Sequence, residues 1–300
     1  MITRVATNAG AFAMLGNLQR NDIALYKAQE QISSGRRINR LSDAPADAVN
    51  ALSQRAQLRR LEQYGRNADE AQRWLSGTDS ALMSVQDQLT SARSLLVTAN
   101  SGVHTPESRA SIAADLRGIR EAMLQTANIS SNGHPLFAGT KVVTAAYDGT
   151  GAYQGDEGVV AVPVGPSVTI TANVSGTAVF GTASTVPAVP GDVFQVLESI
   201  ATAIENGDTT AMSAGLGQID DASKRVSQAQ VLVGSRGKQI EGLVNDMGQQ
   251  QVALKAGISK KEDADIAESV IGLKTQEAAY QAALQALSQV IRPTLMDFLR

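Results

Sequence analysis

Residues 61–99 read LEQYGRNADEAQRWLSGTDSALMSVQDQLTSARSLLVTA. Within them Leu61, Tyr64, Ala68, Ala71, Leu75, Thr78, Leu82, Val85, Leu89, Ala92, Leu96 and Ala99 recur alternately 3 and 4 apart without a slip. This spacing lays one narrow apolar seam along a helix, and such a seam needs another helix to cover it. No proline lies between Ala46 and Ala99. One helix of about 50 residues, about 75 Å long at 1.5 Å per residue, is therefore expected. Asn100-Ser101-Gly102 ends it.

On the C-terminal side, Thr105-Pro106 restarts the chain with proline at a favoured first helical position. Ile112, Leu116, Ile119 and Met123 give this helix a buried face, and the short loop predicts an antiparallel return. On the N-terminal side, a first helix is expected from Asn8 to Ser34, stopping at Gly35. A turn-prone connector runs on to Pro45, with Ser42 or Asp43 as the next N-cap.

After Pro135 the composition changes. Residues 137–191 hold no leucine and are crowded with Gly, Thr and Val. Val160–Val164 and Val168–Thr171 alternate as half-buried strands do, so a small β-rich insertion is expected rather than a disordered linker. Helices resume at Asp192, with Gln195 as its capping-box partner, and run to Gly207. A second long seam follows: Met212, Leu216, Ile219, Ser223, Val226, Gln230, Val233, Gly237, Ile240, Val244, Met247, Gln251 and Leu254. A last helix is expected to open on the capping box Ser259-Lys260-Lys261-Glu262 and to bend or end at Pro293.

Both ends of the chain carry seams of their own. Met14, Leu18, Asn21, Leu25, Ala28 and Ile32 form one. Ile266, Val270, Leu273, Glu277, Tyr280, Leu284, Leu287 and Ile291 form the other. Only two helices are available to meet there, so each keeps an open flank, and these residues are the candidate assembly interface. Asn21 and Glu277 are polar members, which cost stability but can select register or partner. The order of elements gives a mainly α chain with a small β-rich insertion: an elongated antiparallel helical bundle or coiled coil of N- and C-terminal segments, with the β domain at the far end. Three domains follow. They are a terminal coiled-coil assembly domain (1–40 and 259–300), a helical rod (41–136 and 192–258) and the β-rich insertion (137–191).

The remaining composition narrows function. Aromatics make up 4% of the chain and net charge is −3, although residues 1–40 carry six basic against two acidic side chains. Cysteine is absent, which removes disulfides, thiolate catalysis and zinc–cysteine sites. No run of eighteen apolar residues occurs, so no membrane insertion is expected, and no cleavable signal is read after Ala9–Gly16. His104 and His134 sit beside prolines in turns and read as loop histidines; no catalytic, metal or cofactor site is expected. The acidic pairs Asp220-Asp221 and Asp263/Asp265 read as solvated faces or helix-dipole partners. Arg36, Arg37 and Arg40 lack interleaved aromatics, so salt bridging between helices or subunits is expected rather than nucleic-acid binding. Tyr147–Tyr153 reads as a turn, with a sugar site as the competing reading. A carbohydrate- or host-binding insertion is the reading from a different class.

Several segments carry a resemblance. They are Gln31–Asn39 with Ser42–Pro45, Asn132–Thr140, Tyr153–Asp156, Asp263–Glu268 and Pro293–Leu299. On these residues the chain resembles the flagellin superfamily, and its hook-associated junction members more than the filament subunits, which share Ser33–Asn39. The resemblance implies a structural adaptor of the bacterial flagellum that joins hook to filament, with a flagellin-type filament subunit as the alternative. It also implies export of the unfolded chain through the flagellar type III apparatus without signal cleavage, and a cytosolic chaperone on the C-terminal helix. The implied location is extracellular. The implied partners are copies of itself in a ring or helical layer, with another hook-associated protein and flagellin as axial neighbours.

Overall fold

A computed structural model of the chain describes residues 2–102, 104–182 and 191–296, with side chains between 12 and 288 in those ranges. In chain order the elements are α1 (Ile2–Ser34), α2 (Pro45–Asn100), α3 (Pro106–Ala127), β1 (Ser130–Ser131), β2 (His134–Pro135), β3 (Ala161–Pro163) and β4 (Thr169–Thr171). Then follow α4 (Gly176–Phe180), α5 (Val193–Asn206), α6 (Thr209–Glu262) and α7 (Ile266–Met296). The expected class, mainly helical with a small β-bearing insertion, is what forms. Two compact units result, residues 1–60 with 249–300 and residues 61–248.

In the larger unit the α2 seam is the spine of the core. Ala68, Leu75, Leu82, Val85, Leu89, Ala92 and Leu96 are all buried. Thr78 is buried among them, its hydroxyl satisfied by donating to the Trp74 carbonyl at 3.0 Å. α3 folds back along α2 as expected, and Gln88 Nε2 donates to Thr126 Oγ1 near the far end of α3. Thr105 caps α3 by accepting from the Ser108 amide. α3 packs on α5, and Arg117 donates across that contact to Glu198 and to both oxygens of Glu205.

α6 departs in detail from the expected seam. Met212, Ile219, Val226, Val233, Ile240 and Met247 are buried at strict seven-residue intervals. Between them, Gly215, Ala222 and Ala229 are the buried small residues, while Leu216, Ser223 and Gln230 lie only partly buried beside them. Close approach decides this. A Cβ on Gly215 would stand 2.6 Å from Ile200 Cγ1, so a larger residue cannot face α5 there.

The insertion begins with a hairpin that is not among the expected elements. β1 and β2 pair antiparallel across Asn132 and Gly133, whose φ values of 51° and 82° match the Asn-Gly turn that twists with its strands. The two expected strands form β3 and β4, paired antiparallel with Val162 opposite Ile170. Most of the remaining insertion is irregular chain held by aromatic packing. Phe137, Tyr147, Phe180 and Phe194 stack or meet edge-on at 5.1–5.5 Å. They belong to the same core as the α2 leucines. The quoted motifs at 136–140 and 153–156 lie against each other. Tyr153 Oη donates to the Phe137 and Asp156 carbonyls, and the Thr140 amide donates to Asp156 Oδ1. Pro187 and Pro190 lie outside the described residues.

In the smaller unit α1 stops at Gly35, as expected, with φ of +66°. Four helix boundaries differ from expectation. α1 begins earlier, at Ile2. α2 starts on Pro45, and Asp43 does not cap it; its carboxylate turns back to accept from the Asn39 and Arg40 amides and pairs with Lys27. Ser259–Glu262 does not open a helix but ends α6, whose register already satisfies those amides. Asp265 caps α7 instead, accepting from the Ala267 and Glu268 amides. Finally, α7 does not end at Pro293 but continues to Met296.

Candidate assembly surface

α1 and α7 pack against each other, which brings the two terminal seams together. The cover is incomplete at every described position. Leu18, Asn21, Leu25, Ile32, Leu273, Glu277, Tyr280 and Leu287 are only half-buried. Met14, Ile266, Val270 and Leu284 are 37–49% exposed. The side chain of Ile291 lies outside the described residues. Fully burying one exposed leucine contributes about 1.5–3 kcal/mol, so this pair retains a large unmet incentive to bury surface. Glu277 accepts from Lys274 Nζ one turn away, leaving Asn21 as the seam's uncharged polar member.

A second apolar stripe, absent from the sequence reading, runs along α1. Phe12, Ile23 and Tyr26 are 74%, 67% and 66% exposed, and Leu15 is 46% exposed. At about 100° per residue they share one face, lying about 140° round the helix from the seam. One helix with two separated apolar faces needs two different neighbours, and α7 covers only one face. The signal was legible in the spacing 12, 15, 23, 26, but Gln19 interrupts it and the stronger heptad stripe masked it.

The connector after α1 is clasped to the α6–α7 junction. The Ala264 amide donates to the Gly35 carbonyl at 2.9 Å, and the Arg37 amide donates to the Glu262 carbonyl at 2.7 Å, around an antiparallel bridge between Arg36 and Asp263. The Arg37 guanidinium donates to Asp47 Oδ2 at 2.9 Å and to the Lys261 carbonyl at 2.8 Å. Lys261 also reaches Asp47, and Arg55 pairs with Glu262. The Arg37 hydrogen bond, then that of Lys261, holds the Asp47 carboxyl below its ordinary range. Of the basic cluster, Arg37 thus performs the interhelical pairing expected of it. Arg36 and Arg40 form no ion pair among the described residues. Two of the quoted motifs, Gln31–Asn39 and Asp263–Glu268, are the two sides of this clasp.

Among the described residues no metal-binding cluster competes with this surface. His104 stitches the α2–α3 turn, with Nε2 2.9 Å from the Thr98 carbonyl and Nδ1 3.3 Å from Ser108 Oγ. Among the described residues no group of His, Asp and Glu is arranged to hold a metal ion. Tyr147 is buried and offers no open ring face for a sugar.

Comparison with known proteins follows the same geography. The family model for the bacterial flagellin N-terminal helical region matches residues 5–142, which run from α1 to the β1–β2 hairpin. The model for the flagellin C-terminal helical region matches residues 216–299, most of α6 and all of α7. Together they cover well over half of the sequence. The chain belongs to the flagellin family. Residues 143–215 lie outside both family matches and hold β3, β4, α4 and α5. Among flagellin-family relatives, the chain is 24% identical over 306 residues to flagellar hook-associated protein 3 of Salmonella typhimurium, spanning 96% of each. It is 23% identical to flagellin FlaB1 of Treponema pallidum over 94% of each. A solved flagellar hook-associated protein from Vibrio parahaemolyticus shares the fold with a TM-score of 0.67 at 22% identity, covering 74% of this chain and 100% of that one.

Proposed function

We infer that this flagellin-family chain is a structural adaptor of the flagellum, joining hook to filament through its terminal helices. The observation that carries the reading is the contrast in burial. Most of the α2 seam and the α6 row from Met212 to Met247 are buried within the chain, whereas no described member of the α1–α7 seams is fully buried and α1 bears a second uncovered apolar stripe. Copies of the chain in a ring or helical layer would cover both faces. Heterologous contacts of this kind build rings or tubes rather than closed dimers. Another hook-associated protein and flagellin are the axial neighbours in this reading, and a cytosolic chaperone shields the apolar C-terminal helix before export. Delivery is extracellular, by the flagellar type III route, without signal cleavage. No described helix is long and apolar enough to cross a membrane. No catalytic role is assigned.

The second reading, a flagellin-type filament subunit, draws on the FlaB1 similarity, which nearly equals that to hook-associated protein 3. Deleting the gene separates the two. The adaptor reading expects hooks without filaments and flagellin shed into the medium. A filament that still forms, altered only in composition, supports the filament-subunit reading. Substituting Asn21 or Glu277 should disturb assembly while leaving the larger unit folded, as read by circular dichroism.

A further inference from the structure

The larger unit has an open groove of about 540 Å³ between α2 and α6. Leu75 and Val244 contribute apolar lining, and Asp69, Asp79 and Glu241 stand against a single lysine, Lys238. None of these four charged groups is in an ion pair among the described residues. The wall is open at Gly234, where an added Cβ would meet nothing within 4 Å.

The smaller unit presents the complement. While Arg37 is spent in the clasp, Arg36 and Arg40 form no ion pair among the described residues, and Leu41 between them and Pro45 is 70% exposed. A basic, apolar-tipped connector and an acidic groove with an open glycine wall are opposite in charge. We propose that the Arg36–Leu41 connector of one copy seats in the α2–α6 groove of the next, with Arg36 and Arg40 against Asp69, Asp79 and Glu241, and Leu41 over Gly234. The contact rests on the reading that copies assemble, and it names the surfaces they use. It joins two different patches, so each copy keeps one groove and one connector free, and the contact propagates. Opposed charges on a solvated rim fix register and make the contact salt-sensitive.

Because the chain has no cysteine, introduced thiols are unique. Full-length Leu41→Cys and Gly234→Cys chains would be co-expressed in a host lacking its own copy, the flagella isolated, and a short bismaleimide added. A covalent dimer requiring both variants is expected. Asp69→Arg should lower its yield about tenfold, as loss of a close charge pair does, and Arg40→Glu in the partner chain should restore it. Both cysteine chains present in flagella without a dimer would overturn the contact alone, and so would capture of Leu41→Cys by flagellin or another component. Absence of the wild-type chain from isolated flagella would instead overturn the adaptor reading, and this contact with it.

Discussion

Tyr147 and Tyr153 lie with ring centroids 5.2 Å apart, yet their hydroxyls have opposite surroundings. Tyr153 Oη is shared between two backbone carbonyls, whereas Tyr147 Oη is buried without a partner among the described residues. Tyr153→Phe should therefore destabilise the larger unit by about 1 kcal/mol in urea unfolding, while Tyr147→Phe should leave stability unchanged or raise it. A pH dependence follows as well. Burial, then the charges of Tyr153 and Asp192, push the Tyr147 phenol above its ordinary range. A raised folded-state pKa contributes stability that is full below about pH 10 and is lost as pH rises through it. The alkaline loss of thermal stability should accordingly be shallower in Tyr147→Phe than in the wild type. At this scale little is legible in advance, because aromatics are too few to form a pattern and meet only after the irregular chain of the insertion folds. Asn132-Gly133 differs, because an Asn-Gly pair is a local hairpin signal legible without the rest of the fold.

Helices carry the legible part of the account. The α2 seam, the α3 return and the stops at Gly35 and Gly207 were readable because spacing, caps and left-handed glycines are local properties. The ends of α6 and the start of α7 were not, since Ser259–Glu262 and Asp265–Glu268 both offer capping chemistry and only backbone register chooses between them. The exposed α1 stripe and the clasp were hidden for another reason: their meaning lies in what long-range packing leaves uncovered or brings together. Seam position also fixes what a substitution does. Leu89→Ala, in the closed core, should cost 2–5 kcal/mol of unfolding free energy, about the usual range for a buried leucine. Leu25→Ala, on a half-covered seam, should barely alter monomer unfolding but lower incorporation into flagella, measured by quantitative immunoblotting. Arg37→Ala should speed hydrogen exchange across 12–47 and 261–288 and leave 61–248 unchanged. Because Arg37 depresses the Asp47 pKa, the ion pair's contribution is present above the ordinary carboxylate range and fades as pH falls through the depressed value. Acid should loosen the clasp in the wild type and change little in Arg37→Ala.

Across the whole molecule, apolar surface is divided unevenly between the two units. The larger unit closes one continuous core from the α2 leucines to the insertion's aromatics. The smaller unit pairs two seams that never fully bury a described member and leaves Phe12, Ile23 and Tyr26 open. On the proposed adaptor reading, that division would keep the monomer folded while its terminal helices await neighbours. Native-state hydrogen exchange on a verified monomer tests this directly. Rapid exchange is expected in 12–34 and 266–288, slow exchange through the α2 and α6 seams of 61–248, and strong terminal protection only after assembly. Terminal helices protected in the isolated monomer as strongly as the core would contradict it.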